Sequence, residues 1–137
     1  MARSSVLPQS WSPQLLSVLR IVAGLLFMMH GTMKLLAYPA PFPMHLSPFT
    51  MLWFAGVIEL VGGALVLVGL FTSIAAFVMA GEMAFAYFIG HFPKSFWPGI
   101  NMGEVAILYC FIFLYIAAAG PGAWAIDNLR RRNEPIR

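Results

Sequence analysis

Six ionisable side chains fall inside stretches of sequence that are otherwise strongly apolar: Arg20, His30, Lys34, Glu59, Glu82 and Glu104. Such groups are costly away from water and tend to face one another, where they pair or meet a ligand. A carboxyl beside an imidazole can pass a proton or hold a polar head group. Glu59, Glu82 and His30 are therefore the candidate catalytic groups. All six residues are candidates for binding a ligand.

The elements that must position them follow from composition. The chain has 137 residues, of which 61% are apolar and only 9% charged. A soluble domain carries roughly a quarter charged residues, and a small one keeps too much surface in water to hide so much apolar area. Lipid is the natural solvent. A span needs about 20 apolar residues, and four runs qualify, near 15–37, 50–70, 73–91 and 102–119. They predict an all-α fold, a four-helix transmembrane bundle running up-down-up-down over 15–120. Residues 1–14 form a short N-terminal segment, and 121–137 a basic tail. Between the runs lie Pro39, Pro41, Pro43 and Pro48, a turn at Gly69–Ser73, and Pro93, Pro98 and Gly99. No helix interior tolerates such prolines. Thr72 or Ser73 is the expected N-cap of the third helix. The first run is too long for a signal peptide and has no small-residue cleavage site, so it is expected to be retained.

Lysine and arginine counts set the orientation. Arg3, Arg20 and the tail residues Arg130, Arg131, Arg132 and Arg137 fall on one side, Lys34 and Lys94 on the other. Both termini are expected in the cytoplasm, with the basic tail near anionic head groups. Trp11, Trp53, Trp97 and Trp124 each fall at a run's end, as an aromatic belt requires.

With about 1.5 Å of rise per residue, His30, Glu59 and Glu82 come to one level, roughly 12–14 Å below the outer surface. Lys34 and Glu104 come to a second level, roughly 5 Å deep. Arg20 stands apart in the cytoplasmic half. His30 and Lys34, four apart, share a helix face. Gly56, Glu59 and Gly63 share another, and Ala76, Ala80 and Ala84 form a small-residue stripe suited to close helix approach. A buried pair that merely fixes helix register is the plainer reading of any one of these contacts. Three carboxylates against one Lys and one His exceed what register needs. An uncompensated Glu at that depth should be protonated or hydrogen-bonded.

Other chemistries are less well supplied. His30 and His91 lie at different depths, which disfavours haem. No Glu-x-x-His pair lies within one helix, so no metal centre is expected. Cys110 is a single cysteine with no CxxC or CxxCH motif, which argues against dithiol redox chemistry and covalent haem. His45 and Cys110 read as structural. No basic stripe suggests nucleic acid.

Leu19 to Gly31 followed by Lys34, Glu59-Leu60-Val61-Gly62-Gly63, and Gly69-Leu70-Phe71-Thr72 resemble the DoxX family. So do Gly81-Glu82-Met83-Ala84, His91-Phe92-Pro93, Phe96-Trp97-Pro98, Asn101, Gly103-Glu104, Gly120-Pro121-Gly122 and Asp127. The ordered set covers nearly the whole chain. One departure is Ser73, where many relatives have a basic residue.

The resemblance implies a four-helix protein of the bacterial inner membrane. The family takes its name from a subunit associated with a thiosulfate:quinone oxidoreductase and a terminal quinol oxidase. Other members occur beside quinone- or catechol-detoxification genes, or with partners in thiol and oxidative-stress handling. The family positions carried over are Arg20, His30, Lys34, Glu59, Glu82 and Glu104.

Three functions follow as expectations. The first is a redox-linked subunit binding a quinone or similar molecule in a polar cavity. There His30 and Lys34 donate to its carbonyls and Glu59 or Glu82 moves the proton. Its electrons would come from an oxidoreductase partner, since the chain holds no cofactor of its own. The second is a non-enzymatic scaffold for a soluble oxidoreductase. The third is a small proton or solute pathway, which with four helices would call for a homo-oligomer.

Overall fold

The polypeptide folds into helices connected by proline- and glycine-bearing turns, and among the described residues, 5–132, there is no strand. The structure is a computed structural model. Its α-helices are α1 (Ser12–Leu36), α2 (Met51–Val68), α3 (Thr72–Ala86), α4 (Pro98–Asn101), α5 (Glu104–Ala119) and α6 (Ile126–Arg132). The all-α expectation is met. Three helical stretches are long and apolar enough to cross a bilayer: Gln9–Leu36, Met51–Val68 and Thr72–Lys94. The third reaches its length because α3 passes into a π-helical turn, Tyr87–His91, and then a 3-10 turn, Phe92–Lys94. With 16 residues, α5 is apolar but rises only about 24 Å. It begins at Glu104 because Met102, at φ 61°, ends α4 in the left-handed region.

α1 packs chiefly on α2, and α3 on α5. The first interface is backbone against backbone. A Cβ at Gly31 would lie 2.5 Å from the Leu60 nitrogen and 2.8 Å from the Gly56 oxygen. One at Gly24 would meet the Leu67 nitrogen at 2.9 Å, and one at Gly63 the Met28 nitrogen at 2.8 Å. Glycines spaced by seven on both helices thus form one seam. In α3, Ala76 and Ala80 of the predicted small-residue stripe are buried, while Ala84 is only half-buried. The core continues through Phe27, Tyr109 and Phe113, with the Phe27 and Phe113 ring centroids 4.9 Å apart.

Large apolar side chains point outward along every long helix. Ile74 is 70% exposed and Phe77 and Phe111 are each 64% exposed, while glycines and alanines line the closest helix contacts. Water would not tolerate that distribution; hydrocarbon does. Trp11, Trp97 and Trp124 are exposed next to helix ends.

Candidate functional site

The six predicted residues separate into two places and one outlier. Arg20 lies at the end of the molecule where α1 begins and α2 ends. It is 1% exposed. Its Nε donates to the Pro121 carbonyl at 2.8 Å, and Nη1 donates to the carbonyls of Val66 at 2.5 Å and Leu67 at 2.7 Å. Nη2 donates to the Trp124 carbonyl. Helix C-termini leave their last carbonyls without partners and carry partial negative charge. A guanidinium with five donors meets both needs. Gly69, at φ 72°, completes the α2 terminus by a Schellman turn: its N–H reaches Val66 O at 3.2 Å, and that of Leu70 reaches Leu65 O at 2.9 Å. Arg20 therefore has its donors engaged in holding α1, α2 and the segment after α5 together.

The same end shows a cap that sequence reasoning missed. The residue preceding α3 is Phe71, in the left-handed region at φ 50°, and no local side chain caps the helix. Thr72 is the first helical residue instead of the N-cap. The cap comes from Asp127 in α6. Its Oδ1 accepts from Phe71 N–H at 2.9 Å, and its Oδ2 accepts from Thr72 N–H at 3.0 Å and from the Thr72 hydroxyl at 2.8 Å. Desolvation pushes the Asp127 carboxyl up. The bonds from Thr72 and Phe71 and the Arg130 charge outweigh it, so the group sits below its ordinary value. A lowered folded-state value means that this cap stabilises above the unfolded value of ~3.9 and is lost as pH falls through the folded one. Acidification from about pH 6 through that folded value should therefore weaken the hold of α6 on the start of α3. The protection factors of the Phe71 and Thr72 amides, which divide out the intrinsic pH dependence of exchange, should fall over that window in the wild type. In Asp127→Asn protection should be low at both ends of the window.

Toward the other end, α1 and α2 bring Lys34 and Glu59 together. Lys34 Nζ donates to Glu59 Oε1 at 2.5 Å, with side-chain exposures of 9% and 4%. Depth counting pairs Lys34 with Glu104, and the structure corrects that. Side chains lean toward the N-terminus of their own helix. Lys34 thus leans back one turn along α1, while Glu59 leans toward the start of α2, and the two converge. Glu104 is exposed at the first turn of α5, near Gly99.

Glu82 of α3 faces this pair. Glu59 and Lys34 are the charges that act on it. Both Glu82 carboxyl oxygens and Glu59 Oε2 are buried without a hydrogen-bond partner among the described residues. Buried polar atoms are nearly always satisfied, so three unpartnered carboxyl oxygens at one place form the least typical feature of the described residues. His30 is half-buried with Lys34 as its neighbouring charge, and its ring meets Tyr109 edge-on at 6.4 Å. Among the described residues no hydrogen bond joins His30 to either carboxyl. Tyr109, on α5, went unrecognised from sequence because a tyrosine in an apolar run signals nothing by itself. It also borders an apolar groove of ≈ 220 Å³ between α1 and α5, lined by Leu19, Val22, Leu26, Val105 and Leu108.

Beyond this cluster, the turn after α3 is closed by Asn101, which is 1% exposed. Asn101 donates to Ser95 O at 2.9 Å and accepts from Gly103 N–H at 2.8 Å, while its carbonyl lies 3.0 Å from His91 Nδ1. His91 is thereby engaged in the loop. No group of three or more His, Cys, Asp or Glu arranged to hold a metal occurs among the described residues.

The DoxX family model matches residues 15–92, which carry Arg20, His30, Lys34, Glu59 and Glu82. The chain belongs to the DoxX family. It is also 43% identical over 125 residues to an uncharacterised protein of Haemophilus influenzae, covering 88% of this chain and 93% of the relative. No solved structure matches. The DoxX match spans α1 to the π-helical turn, so it contains both partners of the Lys34–Glu59 bridge and the unpartnered Glu82.

Proposed function

We propose that this DoxX protein is a subunit of a redox-linked membrane system that receives the polar head of a quinone-like molecule beside Glu82. In this reading α5 is a fourth span, the four long helices alternate in direction, and both termini face the cytoplasm of a bacterial inner membrane. The observation that carries the proposal is the set of carboxyl oxygens without a hydrogen-bond partner among the described residues, Glu82 Oε1 and Oε2 and Glu59 Oε2, buried beside the Lys34 ammonium. A head group bearing hydroxyls would satisfy them as a donor. Its carbonyl form would accept from Lys34 or His30. Glu82 or Glu59 then accepts or delivers the proton that accompanies electron transfer. A partner oxidoreductase supplies or removes the electrons.

Access fits a lipid-soluble molecule. The groove between α1 and α5 is walled by apolar side chains with Tyr109 at its margin, and Tyr109 touches His30. An apolar chain lying there would leave its head group on the His30 side.

Titration of the purified protein with a short-chain quinone tests the proposal. Saturable binding is expected, and Glu82→Gln should weaken it about tenfold, the worth of roughly one hydrogen bond. No binding by the wild type would favour the scaffold reading, in which Lys34–Glu59 serves only to register α1 on α2. Undiminished binding by Glu82→Gln would remove Glu82 from the site.

A further inference from the structure

At the opposite end from Glu82, a groove of ≈ 360 Å³ opens between the end of α2 and the α6 segment. That volume falls within the ~300–1,000 Å³ of small-ligand sites. Its walls combine two chemistries. Val68, Trp124, Ile126 and Leu129 supply exposed apolar surface, and Arg132 supplies a cation. The walls are fixed in place. Trp124 O is held by Arg20, and Asp127 N–H reaches Gly69 O at 2.9 Å. Asn128, also on the groove, spends its amide on Gly122 O at 2.8 Å and Ala123 O at 3.1 Å. Arg130 is turned away to lie over the Phe71 ring at 4.6 Å, and among the described residues Arg132 is the arginine that lines the groove.

We propose that this groove is a binding site for one anionic phospholipid, its phosphate on Arg132 and its upper acyl chain along Val68, Ile126 and Leu129. Charge and apolarity both select that occupant. A guanidinium matches a phosphodiester in a two-point geometry. The apolar wall continues from the last residue of a membrane-crossing helix, and Trp124 is a residue type that favours the level where head groups meet chains. A soluble anion would leave the apolar wall wet, and a zwitterionic lipid would place a second cation beside Arg132. The site is independent of the Glu82 cluster and stands or falls separately from it.

Native mass spectrometry of the full chain in detergent provides the test, with phosphatidylglycerol, phosphatidylcholine and inorganic phosphate added in turn. Phosphatidylglycerol should be retained over phosphatidylcholine, and phosphate alone should not be retained. Arg132→Gln should reduce phosphatidylglycerol retention about fivefold, the effect of one arginine at an anionic surface. Arg131→Gln, outside the groove lining, should have little effect. Val68→Trp, which fills the groove, should also abolish the preference. Leu129→Ser is a second groove variant at an exposed position, where folding is not at stake. Equal losses in Arg131→Gln and Arg132→Gln, with none in Val68→Trp or Leu129→Ser, would reduce the effect to diffuse surface charge and overturn the proposal. Equal retention of the two lipids, or retention of phosphate alone, would overturn it too.

Discussion

Arg20→Met should destabilise the folded protein by about 3 kcal/mol or more, the cost of leaving several buried carbonyls without donors. The loss is not that of a salt bridge. The four acceptors are the carbonyls of Val66, Leu67, Pro121 and Trp124, drawn from two separate parts of the chain. Methionine keeps much of the volume but supplies none of the donors. Lysine keeps the charge but offers a single nitrogen where three nitrogens of a planar fork are engaged. Arg20→Lys should therefore rescue only a minor part of the stability. Unfolding monitored in mild detergent or lipid nanodiscs measures both variants. Tail protection should fall in parallel, because Trp124 leads directly into α6. An Arg20→Met protein as stable as the wild type would show that the carbonyls find other donors.

Gly31→Leu should be at least as damaging. A small-to-large change in a packed interior costs roughly 1–3 kcal/mol when neighbouring side chains can give way. Here the first atoms met are the Leu60 nitrogen at 2.5 Å and the Gly56 oxygen at 2.8 Å, which are backbone. The helices must separate, so a cost at or above the top of that range is expected. Separation would also pull Lys34, three residues on, away from Glu59. Gly31→Leu should therefore lose ligand binding as well as stability. Gly81→Leu should lose neither, because a Cβ at Gly81 meets nothing within 4 Å. Thermal unfolding and quinone titration of the two variants read both effects.

What the sequence discloses, and what it conceals, divides along a physical line. Apolar runs interrupted by proline or by the Gly69 turn announce α1, α2 and α3 because transfer to lipid depends on composition, which is additive along the chain. Glu59 and Glu82 announce themselves as costly residues in those runs. Arg20 does too, but its role does not. Its partners are backbone carbonyls of residues such as Val66 and Pro121, whose side chains carry no polar signal. Asp127 conceals its role for a different reason: it caps a helix 55 residues earlier in the chain. The Gly120-Pro121-Gly122 motif reads only as a helix stop, yet Pro121 is an Arg20 acceptor, and Gly122, at φ 81°, packs against Ser17 and Pro13. Gly24 and Gly31 become legible only when Gly56 and Gly63 face them. Depth counting treats a residue as a point at its Cα, which is why it places Lys34 with Glu104. A lysine side chain is long enough to change level by a helical turn.

The central claim is that an interior carboxyl cluster, not the lipid-facing surface, receives the ligand. An experimental structure of the protein in lipid nanodiscs with a saturating short-chain quinone tests this most directly. Head-group density should lie within hydrogen-bonding distance of a Glu82 carboxyl oxygen, bounded by Lys34 and His30. Density confined to the outer faces of the helices, with the Glu82 oxygens still unpartnered, would contradict it.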